Sequence, residues 1–364
     1  MKAVVLAGGF GTRLRPLSCT RPKLLFPIAN RPLLDWTLEK LAKARVEEVI
    51  LAVNYMADVL ERNFGSSKYG VKLRYSRETK PLGTGGPMKL AESVLSDDAF
   101  LALNGDILST LDFRKLIESH TKSGATATIA LYEVEDPSRY GVVELDDESR
   151  VRRFVEKPKP GEAPSKLVNA GVYVLEPSVL DLIQRERKVS IEREVFPVLA
   201  SEGTLHGYVF NDLWIDIGKP NDYIQANRLM LDQIASNRPQ IGKNATIHNG
   251  SRVISPSIIG ENATIADEAC IGPYAVVGDD VTVRKGAKIE NSVVLPSAWI
   301  DNFTSIRNAI IGEGAIIGQW VKIESQVIVG DHAVIYDNVT LTQEVSVCPS
   351  KEVEESILEP RQVM

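Results

Sequence analysis

The sequence holds 364 residues, 44% of them hydrophobic, with a formal net charge of −6. That length suits two domains with sizeable cores, and an acidic balance without a basic block argues against a nucleic-acid partner. Cys19, Cys270 and Cys348 lack metal-ligand spacing and point to a soluble protein of the reducing cytoplasm, while no signal-like segment opens the chain and no run reaches the ~18 apolar residues of a membrane helix.

The first predicted strand, 2–7, runs into Gly8, Gly9 and Gly11. Without Cβ atoms these residues admit positive φ and close ligand approach, and their N–H groups can form an anion-binding concavity. Arg13 and Lys23 add two cations, so strand, bare backbone and charge together describe a polyphosphate site. A plain β-turn would use the same glycines. Two better-known motifs fail: no Gly-x4-Gly-Lys-Ser/Thr run follows, and Arg13 and Leu14 stand where the dinucleotide fingerprint needs its last glycine.

Further strands are expected at 48–53, 72–75 and 100–104, with helices at 33–44, 88–95 and 113–123. Leu34, Leu38, Leu41 and Ala42 repeat at helical spacing. Alternating β and α predicts a mostly parallel sheet covered on both faces, with ligands beyond its carboxyl ends. Denser strands at 141–145, 151–156 and 171–175 read as a substrate-facing extension, and a helix over 221–234 closes a first domain of residues 1–235.

After Ser236-Asn237-Arg238-Pro239 the pattern changes. Aliphatic residues recur every six positions from Ile241 to Ile289, slip by one, resume at Val294, Ile300 and Ile306, slip again, and continue from Ile311 to Val347. This period predicts a left-handed parallel β-helix of hexapeptide repeats over 240–364, roughly six coils long.

Between these features lie candidate chemical groups. Asp106 ends the apolar run 100–105, and Asp216 sits between apolar neighbours in Leu213-Trp214-Ile215-Asp216-Ile217-Gly218. Mg²⁺ takes one or two carboxylates plus substrate phosphates, which such a pair would provide. Glu156 and Lys157 in Phe-Val-Glu-Lys-Pro offer an acceptor for hydroxyls and a point charge for a phosphate. Asn169-Ala170-Gly171 places an amide before a glycine, and Pro81-Leu82-Gly83-Thr84-Gly85-Gly86 is a second bare-backbone loop. Taken singly, each also admits a plainer reading: a turn or helix cap, an Asp bonded to backbone, or an exposed ion pair.

Taken together and in this order, the motifs resemble the sugar-nucleotide pyrophosphorylases, above all in Leu-Ala-Gly-Gly-x-Gly-Thr-Arg-Leu-x-Pro-Leu followed by Pro22-Lys23. Ile50-Leu51-Ala52-Val53-Asn54-Tyr55-Met56, Asp136-Pro137-Ser138-Arg139-Tyr140-Gly141-Val142-Val143, Ser190-Ile191-Glu192-Arg193-Glu194-Val195-Phe196-Pro197, Gly318-Gln319-Trp320-Val321 and the closing Leu358-Glu359-Pro360-Arg361-Gln362-Val363-Met364 resemble more closely the branch that makes GDP-mannose from GTP and mannose 1-phosphate. The resemblance implies a Rossmann-like nucleotidyltransferase domain. It implies nucleotide contacts from Leu6, Gly8, Gly9, Gly11, Thr12, Gly83 and Asn104, and places Arg13 and Lys23 on the departing β- and γ-phosphates. Asp106 and Asp216 would hold Mg²⁺, and Lys157 the sugar phosphate. Gly141, Glu156, Asn169 and Gly171 would line the sugar. The same transfer on glucose 1-phosphate with dTTP, UTP or ATP is the nearest alternative. An acyltransferase β-helix, with only His248 and His332 to serve it, and a non-catalytic binding paralogue are more distant ones. Exposed coil faces predict self-association.

Overall fold

The computed structural model describes residues 1–364 except Phe10, inside the first glycine run, and Tyr55, in the 50–56 string, which lie outside the described residues. The chain forms two compact units: Met1–Phe10 with Leu34–Asp216, and Gly11–Leu33 with Ile217–Met364.

The first unit is built on a ten-stranded sheet among the described residues. Strand Lys2–Ala7 lies parallel between Glu48–Val53 and Phe100–Asn104, with Val71–Arg77 beyond. Val4, Val5, Leu51, Leu101 and Ala102 are fully buried, because helices cover both faces of a parallel sheet; their strands are therefore continuous apolar runs. Leu167–Leu175 pairs antiparallel with Phe100–Asn104 and leads to Gly141–Leu145, Val151–Glu156 and Ala127–Glu133. A short antiparallel pair, Ile107–Ser109 with Trp214–Asp216, stands apart from the main sheet.

Two elements differ from expectation. The helix expected over 88–95 is two pieces, Gly86–Leu90 and Glu92–Leu95, because the Ala91 N–H is shared between the carbonyls of Pro87 and Met88 and its ψ opens to 6°. Both pieces still bury an anchor, Met88 and Leu95. The strand expected at 171–175 begins at Leu167, since a register shift between Asn169 and Tyr173 lets pairing with Ala127–Glu133 continue past the interruption.

In the second unit, parallel strands of two or three residues stack into three sheets of eight, seven and six strands among the described residues. Ile259 pairs with Val277, 18 residues on, and Ile265 with Val283. Where the sequence period slips, the offset falls to 17, as in Val277↔Val294 and Val294↔Ile311. The aliphatic residues from Ile259 to Val347 fill the axis, while Ile241 is exposed at the first coil. Three positions after an aliphatic the chain turns a corner in left-handed φ, as at Asn262, Glu268, Tyr274 and Asp280 (55° to 60°). Asparagine tolerates that conformation, and its amide stacks on the next coil, as in Asn262 Nδ2 to Asp280 Oδ1 at 3.1 Å. Helix Pro220–Ile234 and the segment Gly11–Leu33 belong to this same unit.

Candidate functional site

The carboxyl ends of the parallel strands place the first group of residues. Leu6 and Asn104 are register partners, and the Gly105 N–H donates to the Leu6 carbonyl at 2.9 Å. Leu6, Gly8, Gly9, Gly83, Asn104 and Asp106 thus line one cavity of about 340 Å³, joined there by Glu78, Thr84 and Lys188. A larger groove of about 670 Å³ lies around Arg77, Lys80, Lys89 and Arg185. A Cβ on Gly8 would sit 3.0 Å from Glu78 Oε1, whereas Gly9 faces open space. Burial raises the Glu78 carboxyl above the usual range, against the pull of the Leu82 N–H that it accepts at 3.0 Å.

The second glycine loop is pinned to a distant segment. Gly83 has φ +79° and bridges to Val189, whose carbonyl also accepts from Gly85 N–H at 2.9 Å. Any side chain on Gly83 would place Cβ 2.3 Å from that oxygen. The Thr84 and Ser190 hydroxyls both donate to Glu192 Oε2 at 2.6 Å, and Thr84 accepts the Ile191 N–H.

Of the residues expected to face the sugar, Gly141 and Glu156 stand at strand ends and Asn169 and Gly171 at the register interruption within Leu167–Leu175, all outside the lining of the 340 Å³ cavity. Gly141 is the register partner of Glu156, and a Cβ there would lie 2.8 Å from Glu156 Oε2. Burial, then the nearby Glu192 charge, raises the Glu156 carboxyl. Lys157 turns into left-handed φ, 51°, and holds its exposed ammonium 3.8 Å from Glu156. Asn169 accepts the Gly171 N–H and donates to the Tyr173 hydroxyl, both at 2.9 Å. Gly171, at φ +71°, brings its backbone so close to Asn104 that a Cβ would meet Nδ2 at 2.6 Å. This contact joins the sugar-side strand to the cavity wall.

The two candidate metal ligands, 110 positions apart in sequence, are brought to one place. Asp216 is the register partner of Ile107, the neighbour of Asp106. Trp214 fixes that strand by donating its indole N–H to the Ala170 carbonyl at 2.9 Å and packing on Tyr132 and Tyr140. No group of three or more His, Cys, Asp and Glu side chains forms a metal cage among the described residues. Two carboxylates fit a hard divalent ion that completes its shell with substrate phosphates.

Gly11, Thr12, Arg13 and Lys23 lie in the second unit. There the segment Gly11–Leu33 folds as 3₁₀ turns at Thr12–Leu14, Leu17–Cys19 and Lys23–Leu25, with Leu14, Leu17 and Leu24 buried beneath them. Arg13 is exposed and passes Gly218, whose missing Cβ would lie 3.5 Å from Nη1.

Sequence reading gave no role to Glu78, Lys188, Thr84 or Glu192. Glu78 directly follows the parallel strand Val71–Arg77, and a carboxylate at a strand's carboxyl end was the available signal. Glu192 stands in the Ser190–Glu194 string, but its contact with Thr84, 108 positions away, has no local mark, and Lys188 joins the cavity lining from as far along the chain.

A family model described as nucleotidyl transferase matches residues 2–233, and one described as GMPPB C-terminal domain matches residues 253–363. The chain is 40% identical over 371 residues to the probable mannose-1-phosphate guanylyltransferase 1 of Oryza sativa subsp. japonica. It is 41% identical over 374 residues to the mannose-1-phosphate guanyltransferase of Aspergillus fumigatus. Both alignments cover 100% of each chain. Among solved structures, HddC from Yersinia pseudotuberculosis complexed with GMP-PN superposes with a TM-score of 0.53 at 31% identity, covering 63% of this chain and 99% of that one.

Proposed function

Because this chain belongs to the nucleotidyl transferase family, we propose that it transfers the guanylyl group of GTP to mannose 1-phosphate, forming GDP-mannose and pyrophosphate with Mg²⁺. The supporting observation is the strand-end cavity, where bare glycine backbone, Asn104 and Asp106 meet, with Asp216 in register with Ile107, the next residue. Glu78 in the same cavity supports the choice of base. Guanine presents two adjacent donors, N1–H and the N2 amino group, to a carboxylate acceptor; thymine and uracil present one.

The attacking group is a phosphate oxygen that is already anionic near neutral pH, so the reaction asks for charge control rather than a general base. Asp106 and Asp216 would hold Mg²⁺, which when bound neutralises triphosphate charge. Gly8, Gly9, Gly11, Thr12 and Gly83 admit the nucleotide at backbone distance. Arg13 and Lys23 neutralise the β- and γ-phosphates that leave, and Lys157 draws in the sugar phosphate. Together they offset the repulsion of two polyanions. Glu156 and Asn169 accept sugar hydroxyls, with Gly141 and Gly171 leaving them room.

We also assign the protein to the cytoplasm, consistent with three free thiols among the described residues. Self-association through the coil is supported by Trp299 and Ile316, exposed register partners on one outward face. One assay tests the central reading: purified protein and Mg²⁺ with GTP, ATP, UTP and dTTP against mannose, glucose and galactose 1-phosphates. The expected result is the highest kcat/KM for GTP with mannose 1-phosphate. Preference for glucose 1-phosphate, or binding without pyrophosphate release, would overturn it.

A further inference from the structure

One contact network in the second unit has no part in the chemistry above. Asp331, on a corner of the β-helix, is 2% exposed. Its Oδ1 accepts the Glu313 N–H at 2.7 Å, one coil earlier. This is a repeated feature of the coil: Asp279 accepts the Glu261 N–H and Asp337 the Gln319 N–H through the same oxygen. Oδ2 of Asp331 does something else. It accepts Arg21 Nη2 at 2.6 Å and the Thr20 hydroxyl at 2.5 Å, and the same Nη2 reaches Glu313 Oε2 at 2.7 Å. Only 14% of the Arg21 side chain is exposed.

Thr20 and Arg21 sit within Gly11–Leu33, and Arg21 is two residues before Lys23 with Pro22 between. The segment is held further along as well. Asn30 Nδ2 donates to the Val277 carbonyl of the coil at 2.7 Å, Asn227 accepts the Ala29 N–H, and Tyr223 donates to the Pro27 carbonyl. The β-helix therefore grips the segment that carries Arg13 and Lys23 at two points, Arg21 and Asn30.

We infer that Asp331 and Glu313 of the β-helix are positioning residues for nucleotidyl transfer, holding Arg21 so that Lys23 and Arg13 keep the placement their phosphate contacts need. This rests on the reading of Arg13 and Lys23 as pyrophosphate-holding cations. A flexible segment would present the same charges without fixed geometry, and small misplacements cost on the order of 100-fold when reacting groups must align.

Four variants test it: Asp331→Asn, Arg21→Met, the two combined, and Asp337→Asn as a coil cap without a contact to the segment. Asp331→Asn keeps the oxygen that caps Glu313 and removes the charge that Arg21 meets. Hydrogen exchange of amides 12–25 and steady-state kinetics with GTP are measured on each full-length protein. In Asp331→Asn and Arg21→Met, protection over 12–25 falls and kcat/KM for GTP drops about tenfold to a hundredfold. The combined variant is no worse than Arg21→Met, and Asp337→Asn behaves as wild type in both. Unchanged protection in both single variants would overturn the anchor. Lost protection with unchanged kcat/KM would overturn its bearing on catalysis. Should Asp331→Asn not fold, Arg21→Met carries both readouts. A wild-type chain that makes no GDP-mannose would overturn the function proposed above, and the exchange measurement then decides the anchor by itself.

Discussion

Gly83→Ala is a minimal chemical change for which the structure predicts a large effect on both stability and the cavity. The backbone there is left-handed, φ +79°, and an added methyl would lie 2.3 Å from the Val189 carbonyl oxygen and 3.0 Å from its carbon. Alanine in that conformation costs about 1–2 kcal/mol, and overpacking against immovable backbone typically adds about 1–3 kcal/mol. Val189 cannot step aside cheaply, because it also donates to Leu82 at 3.0 Å and accepts from Gly85 at 2.9 Å. A total of roughly 3 kcal/mol corresponds to about 6–12 °C in the melting of a domain of this size. The loop also lines the strand-end cavity, so nucleotide binding suffers with stability; about 1.4 kcal/mol lost there reads as tenfold in KM for GTP. Differential scanning calorimetry and initial-rate kinetics measure the two effects on one preparation. An alanine variant melting within about 1 °C of wild type, with unchanged KM, would refute the steric argument.

Other consequences are sharper in one readout. Lys157→Ala should lose on the order of 100-fold in kcat with little change in melting temperature, because its side chain is 60% exposed and its contact with Glu156 is long, 3.8 Å. Glu78→Gln should cut the preference for GTP over ATP by about tenfold or more, measured as a ratio of kcat/KM values. Lys40, its ammonium over the Phe113 ring and donating to the Ser109 carbonyl, is lowered by burial to about 7 from 10.5. Its charged form is therefore penalised in the folded chain. The penalty is complete below pH 7 and relieved as pH rises toward 10.5. Urea unfolding of wild type should show stability rising across that window relative to Lys40→Met; parallel pH profiles for the two proteins would contradict this.

Much of the fold is written locally. The strands Lys2–Ala7, Glu48–Val53, Phe100–Asn104 and Gly141–Leu145 are short apolar runs bounded by turn residues, and pairing leaves them where the pattern puts them. The coil is legible even in its two slips, because each missing residue shortens one turn from 18 to 17. That Asp216 lies near Asp106 is visible only in the fold, where Asp216 pairs in register with Ile107, the residue after Asp106. What stays hidden are contacts made across long stretches of chain by side chains with several local uses. Glu192 stands in the Ser190–Glu194 string with no role of its own in the sequence, yet it serves Thr84, 108 positions away. Arg21 stands two residues before Lys23 with nothing local to mark it, yet its partner Asp331 is 310 positions on. A charged residue in a surface-like string carries no local mark of such a role.

The most direct test of the central claim follows the phosphorus. Wild-type protein is incubated with Mg²⁺, mannose 1-phosphate and GTP labelled at either the α- or the γ-phosphate, and the products are separated. Transfer of a guanylyl group predicts α-label in GDP-mannose and γ-label in pyrophosphate. Label released as inorganic phosphate, or γ-label on the sugar, would contradict it.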